Sequence, residues 1–282
     1  MIPRLLFALI APLLLTGCFI TPGKFDSELT LERDGSFAFT YSGEIVFLGL
    51  SKLARMNSGN GVFEPKSCVD EASFDERECS EDELAEQRAE WEAGADERAA
   101  KNKEEARQMA SFLGGIDPAD PQANENLRQL LLRHKGWNKV ESKGDGVFDI
   151  EFSVTGHLSH DLMFPVIEGV PTTNIFVQAI LREGNQVRIN APGFSGDTGS
   201  GPSSGMMGGM AGLAALGGGD KGLEGLEELP RIDGTFTIRT TGVILANNTD
   251  EGASQTAGMQ VLTWKVSSQT KQAPSALIKL GD

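Results

Sequence analysis

The stretch KFDSELTLERDGSFAFTYSGE, residues 24–44, sets apolar side chains at alternate positions on both sides of an Asp-Gly pair. That period predicts a β-hairpin: Leu29 and Leu31 share one face of the first strand, Asp34-Gly35 make the turn, and Phe37, Phe39 and Tyr41 share one face of the return strand. A hairpin cannot bury its apolar face alone, so the rest of the chain must supply further strands or a helical layer to cover it.

The period changes at Ser80, which with Glu83 fits a capping box. Leu84, Trp91, Ala95, Ala99, Ala106, Met109 and Leu113 then recur at steps of three, four or seven, which predicts one long helix with a narrow apolar seam, ended by Gly114-Gly115. Between Asp70 and Glu105 stand fifteen acidic and five basic residues, so its outer face is expected to be acidic and solvated. A second helix is expected after Asp120, with Pro121 at its first position, Leu127, Leu130 and Leu131 inward, and Arg133, His134 and Lys135 before a stop at Gly136.

Alternation then resumes. Phe148, Ile150, Phe152 and Val154 mark a half-buried strand; Phe176 to Leu181, a Gly184-Asn185 turn and Val187 to Ala191 mark a hairpin; Phe236 and Ile238, then Leu262, Trp264 and Val266, mark two late strands. The order of elements gives an α+β class: an antiparallel β-sheet with an inserted helical pair over about residues 80–136. A second insertion, about residues 193–230, is Gly-rich and holds Met206, Met207, Met210, Leu213 and Leu216 with no charge between Asp197 and Asp220. It reads either as a disordered Gly/Met-rich loop or as an apolar segment that contacts a lipid or membrane through adaptable methionines.

Met1 to Arg4 are basic, and Leu5 to Leu15 form an apolar run the size of a signal-peptide core, too short for a bilayer, which needs roughly 20 residues. Leu15-Thr16-Gly17-Cys18 resembles the lipobox of bacterial lipoproteins. The resemblance implies that residues 1–17 are a lipoprotein signal peptide, that Cys18 is lipidated with diacylglycerol and becomes the mature amino terminus, and that acyl chains hold the protein on a membrane without spanning it. An ordinary signal peptide or a buried helix is the other reading. Phe19, rather than Asp, after the cysteine implies the outer membrane, facing the periplasm, in a Gram-negative source. Residues 18–24 are then expected as a tether and 25–282 as a single envelope domain.

Of the 282 residues, 17 would leave with the signal, so 265 remain, and loss of Arg4 takes the net charge from −15 to −16. Nucleic acid is not an expected partner of such a surface. Export places Cys68 and Cys79, eleven positions apart, where disulfides persist, and a disulfide between them is expected; zinc is the rival, but no His lies near. His157 and His160, with Asp161, fall on opposite faces of a strand and suggest no third ligand, so no metal is expected there. No G-x-S-x-G elbow and no Walker loop is present, so neither an enzyme nor a cofactor is expected.

The layout also resembles the LppM-like lipoprotein domains in its lipobox, its Asp34-Gly35-Ser36 turn, its helical insertion and its Leu262-Thr263-Trp264 strand. Members of that family often end in a transmembrane helix, whereas this sequence ends in ALIKLGD. The resemblance implies an envelope domain in contact with lipid and supplies no catalytic residues. The expected function is non-enzymatic binding of a lipid ligand or an envelope protein near the membrane. The alternative is a structural or assembly lipoprotein that docks another envelope protein through its acidic helix.

Overall fold

The computed structural model describes residues 20–47, 50, 63, 65–70, 76–112, 114–117, 120–170, 175–195 and 231–281. The strands are β1 (Ile20–Leu31), β2 (Ser36–Phe47), β3 (Cys68–Val69), β4 (Glu76–Arg77), β5 (Trp137–Gly144), β6 (Val147–His157), β7 (Leu162–Phe164), β8 (Val177–Arg182), β9 (Gln186–Asn190), β10 (Asp233–Thr240), β11 (Val243–Asn247), β12 (Ser254–Thr256), β13 (Met259–Ser267) and β14 (Ser275–Lys279). The helices are α1 (Glu81–Ala93), α2 (Ala95–Phe112) and α3 (Ala123–Leu132), with a 3₁₀ turn at Pro192–Phe194.

The predicted hairpin is the centre of a seven-stranded sheet ordered β12-β13-β10-β1-β2-β6-β5. Its turn is held by Asp34, whose Oδ1 accepts from the Ser36 amide at 2.9 Å and hydroxyl at 2.6 Å, while Gly35 takes the positive φ of 85° that the tight turn requires. The pair β1 and β10 runs parallel, so the sheet is mixed rather than purely antiparallel. A second, antiparallel sheet is ordered β11-β14-β9-β8-β7.

The sheets face each other as a sandwich over one hydrophobic core. Phe25, Leu29 and Leu31 point inward from β1, Phe39 and Tyr41 from β2, and Val187, Ile189, Ala276 and Ile278 from the opposing sheet, all buried. Aromatic rings occupy the space between: Phe25 stacks on Phe194 at 4.2 Å, Phe39 and Tyr41 meet Phe164 at 5.2 and 5.1 Å, and Phe194 meets Phe236 at 5.4 Å. Each such ring contributes about 2–3 kcal/mol over leaving it exposed. The close packing excludes even a methyl at Gly234, where a Cβ would stand 2.4 Å from the Phe25 carbonyl oxygen.

The α+β class is as expected, with three departures in detail. The insertion holds three helices rather than a pair, because Gly94 divides the long one; its amide donates to the Glu90 carbonyl at 3.1 Å and α2 starts at the next residue. The apolar seam of the first part is not buried, for α1 has no buried residue; Trp91 instead meets Phe63 at 6.0 Å and carries the Arg98 guanidinium over its ring. The helix that joins the core is α3, packed on β5 with Ala123, Leu127 and Leu131 buried and Leu130 half-buried. It begins at Ala123 rather than Pro121, because the Asp120 carboxylate ties up the Gln122 amide and the Asn126 side chain.

Residues 20–24, expected as tether, belong to β1 instead: Ile20 pairs with Phe47 and is buried. An apolar residue opposite an open strand end gains more by extending the ladder than by staying in water.

Candidate interaction surface

Cys18, the candidate lipidation site, lies outside the described residues, as do Met206, Met207, Met210, Leu213 and Leu216. The described residues that flank them share one end of the sandwich. Strand β1 begins at Ile20; Asp233, the first residue of β10, stands beside Lys24; and Phe194, just before the Gly/Met-rich stretch, stacks on Phe25.

Cys68 and Cys79 form the expected disulfide, with S–S 2.01 Å and Cα atoms 5.0 Å apart. The two-stranded β3–β4 ribbon it closes sits against the start of α1. Gln87 Nε2 donates to the Lys66 carbonyl at 3.2 Å, and Gln87 Oε1 accepts the Lys66 amide at 2.9 Å. Arg77 grips Glu83 with both terminal nitrogens, at 2.9 and 2.6 Å, while the capping box at Ser80 engages the same carboxylate. The Arg77 guanidinium and the Ser80 amide and hydroxyl hold the Glu83 carboxyl down at about 2. The acidic helix surface is exposed, as its composition demands.

The two outer faces of the sandwich differ in kind. That of the seven-stranded sheet is polar and crossed by ion pairs: Lys139 with Asp149 at 3.0 Å, Lys143 with Glu44 at 3.3 Å and Arg239 with Glu28 at 2.8 Å. Its charges neutralise one another; Asp149 and then Glu141 push the Lys139 ammonium above its ordinary value. This is a solvated surface, in which exposed pairs contribute about 0–1 kcal/mol each.

The outer face of the five-stranded sheet is apolar and basic. The registers of β8, β9, β14 and β11 set Ile180, Arg188, Leu277 and Ala246 in one row and Arg182, Gln186, Lys279 and Val243 in the next. No Asp or Glu occupies an outward ladder position of this sheet; Asp161 and Glu183 lie beyond the strand ends. Of the seven large apolar residues exposed among the described residues, five belong to this sheet or the turn after β7: Met163, Val166, Leu181, Val243 and Leu245. In a chain with 40 acidic and 25 basic residues, a face with three cations and no carboxylate is a local inversion of charge.

Sequence reasoning missed this surface. The signal in β8 is Ile180, apolar at a position in phase with polar Gln178 and Arg182. In β11, Val-Ile-Leu reads as a core run, but Val243 takes an outward position beside Lys279 and Leu245 falls at the bulge, so both are exposed while Ile244 is half-buried. His157 is exposed at the end of β6, and His160 Nδ1 lies 3.1 Å from the Ser159 hydroxyl. Among the described residues no three His, Cys, Asp or Glu side chains converge on a point.

No protein-family model matches the chain, and no curated protein matches it. Among solved structures it is similar to the folded domain of LppM from Mycobacterium tuberculosis, determined by NMR, at 14% identity over 93% of this chain and 92% of that one, with a TM-score of 0.30. This is a distant likeness, and no residue role is carried across it.

Proposed function

We propose that the protein is a lipid-anchored, non-enzymatic binding protein of the cell envelope, held through Cys18 and placed at the outer membrane, facing the periplasm, in a Gram-negative source. It binds a lipid or an envelope protein on the outer face of its five-stranded sheet. The observation that carries this reading is that the outward positions of that sheet hold Met163, Ile180, Leu277 and Val243 beside Arg182, Arg188 and Lys279, with no Asp or Glu in its strands. The interior supports it from the other side, because the space between the sheets is filled by Phe25, Phe39, Tyr41, Phe164, Phe176 and Phe194, which leaves binding to the surface.

The reading has two further parts. With β1 starting at Ile20, only Phe19 stands between Cys18 and the sheet, about 7 Å of extended chain from Cys18 to Ile20. A lipid on Cys18 would therefore hold the β1 end of the sandwich close to the bilayer. The second part is the Gly/Met-rich stretch, which follows Phe194 in the sequence and whose Met206, Met207, Met210, Leu213 and Leu216 are its membrane contacts.

Intact-mass analysis of the protein from its host tests the anchor. A mature chain beginning at Cys18 with an added diacylglycerol is expected, and an uncleaved chain from Cys18→Ala; normal processing of that variant would sink the reading. Native mass spectrometry tests the ligand: a lipid-sized excess that disappears on denaturation points to lipid, and a bare mass to a protein partner. A second reading, assembly through the acidic helix, is favoured by α1, which buries none of its residues in the domain.

A further inference from the structure

Helix α1 has one side covered and one side bare. Leu84, Gln87 and Trp91 are half-buried on the side toward the β3–β4 ribbon and Phe63, where Gln87 holds Lys66 and Trp91 meets the Phe63 ring. Asp82, Ala85, Glu86, Ala89, Glu90 and Ala93 recur at steps of three and four residues or one, so they share the opposite side, and all six are exposed. The side chains of Asp82, Glu86 and Glu90 make no hydrogen bond or ion pair among the described residues. Alanines between them leave room for close approach by another surface.

The outer face of the five-stranded sheet is the complement of that stripe. Ile180 and Leu277 flank Arg188 in one row, and Arg182 and Lys279 flank Gln186 in the next, with no carboxylate in any of the five strands. The dimensions agree as well. Arg182 and Lys279 stand two strand spacings apart, about 10 Å, and Asp82 to Glu90 span about 12 Å of helix. The 13 residues of α1 run about 20 Å, against about 19 Å from β11 to β7.

We infer that these two surfaces are halves of one contact: the bare side of α1 in one copy of the chain lies across the outer face of the five-stranded sheet in a second copy. The alanines rest over Ile180 and Leu277, and the carboxylates meet Arg182 and Arg188. The inference rests on the reading of that face as the binding surface and names its occupant. A lipid headgroup would answer the cations and leave the acidic stripe bare, whereas a second copy answers both surfaces, because every copy carries both halves.

One helix on one sheet is at the small end of interface sizes, so the test is sedimentation equilibrium of the full chain in detergent, from about 10 to about 500 μM. Salt at about 0.15 M screens the long-range repulsion between copies, each of net charge −15, more than it screens charges in contact. A mass above that of the protomer is expected at the upper concentrations. Arg182→Glu with Arg188→Glu, and separately Glu86→Lys with Glu90→Lys, should each sediment as protomers with unchanged circular dichroism. The helix variant is the sharper of the two, because two charge reversals take the net charge from −15 to −11, and weaker repulsion alone would favour association. An equimolar mixture of the two variants should associate again, since the reversed helix then meets the reversed face and the unaltered helix meets the unaltered face. A protomer mass for the unaltered protein throughout overturns the inference and leaves the proposed function to be read separately by native mass spectrometry. Association that survives either double variant, or a mixture that stays protomeric, overturns it equally.

Discussion

The indole of Trp264 donates its Nε1–H to Asn248 Oδ1 at 3.0 Å, and so joins β13 of one sheet to the loop that leads out of the other. The same oxygen accepts the Ser275 amide at 2.9 Å, and Asn248 Nδ2 donates to the Ala273 carbonyl at 2.9 Å. One side chain thus ties β13 of one sheet to the start of β14 in the other, while α3 packs on β5 at the far edge of the first.

Asn248→Ala should cost about 2 kcal/mol, because it strands the indole N–H and the Ser275 amide at once. Asn248→Asp keeps both acceptor contacts and loses only the donor to Ala273, so it should cost less. Urea unfolding at neutral pH ranks the two; equal losses would show that the acceptor oxygen is not the important atom.

Leu127→Ala removes a fully buried side chain between α3 and β5 and should destabilise by about 3 kcal/mol. Leu132→Ala, one turn on and partly exposed, should stay within about 0.5 kcal/mol. Thermal or chemical unfolding of the pair separates a helix that seals the core from one that only decorates it.

Gly234→Ala should destabilise strongly, by roughly 2–4 kcal/mol, since the added methyl meets the Phe25 carbonyl and ring and neither is free to yield. A crystal structure or amide exchange of the variant should show the disturbance at the Phe25–Phe194 stack.

The Arg77–Glu83 clamp carries a pH dependence of definite sign. The folded Glu83 carboxyl sits at about 2, below its ordinary value, so its contribution is present above the unfolded value and is lost as pH falls through the folded one. Order at the start of α1 should therefore decline between about pH 4.5 and pH 2. Arg77→Ala should move the Glu83 titration upward, read by carboxyl NMR. A titration unmoved by that substitution would mean the Ser80 cap alone sets it.

Reduction should open the Cys68–Cys79 bridge and make both thiols alkylable while the sandwich core stays folded, because the β3–β4 ribbon rests on α1 through Gln87 rather than on the aromatic core. The local loss is about 3 kcal/mol of loop closure. Near-ultraviolet circular dichroism before and after reduction reads the core; collapse of that signal would place the ribbon inside the cooperative unit.

Local pattern alone determined the hairpin around Asp34-Gly35, the strands at Phe148–Val154 and Leu262–Val266, the capping box at Ser80 and the pairing of Cys68 with Cys79. In each, the information lies within a dozen residues: a period, a turn pair or a spacing. Tertiary structure alone decided the parallel pairing of β1 with β10, the division into two facing sheets, and the choice of α3 rather than the longer helix to seal the core. Those outcomes depend on contacts between segments as far apart as Leu31 and Thr240, which no local period records. The same reason hid the surface. Val243 and Leu245 have the composition of a core strand, and whether such positions face the core or water is settled only when every other strand has taken its place.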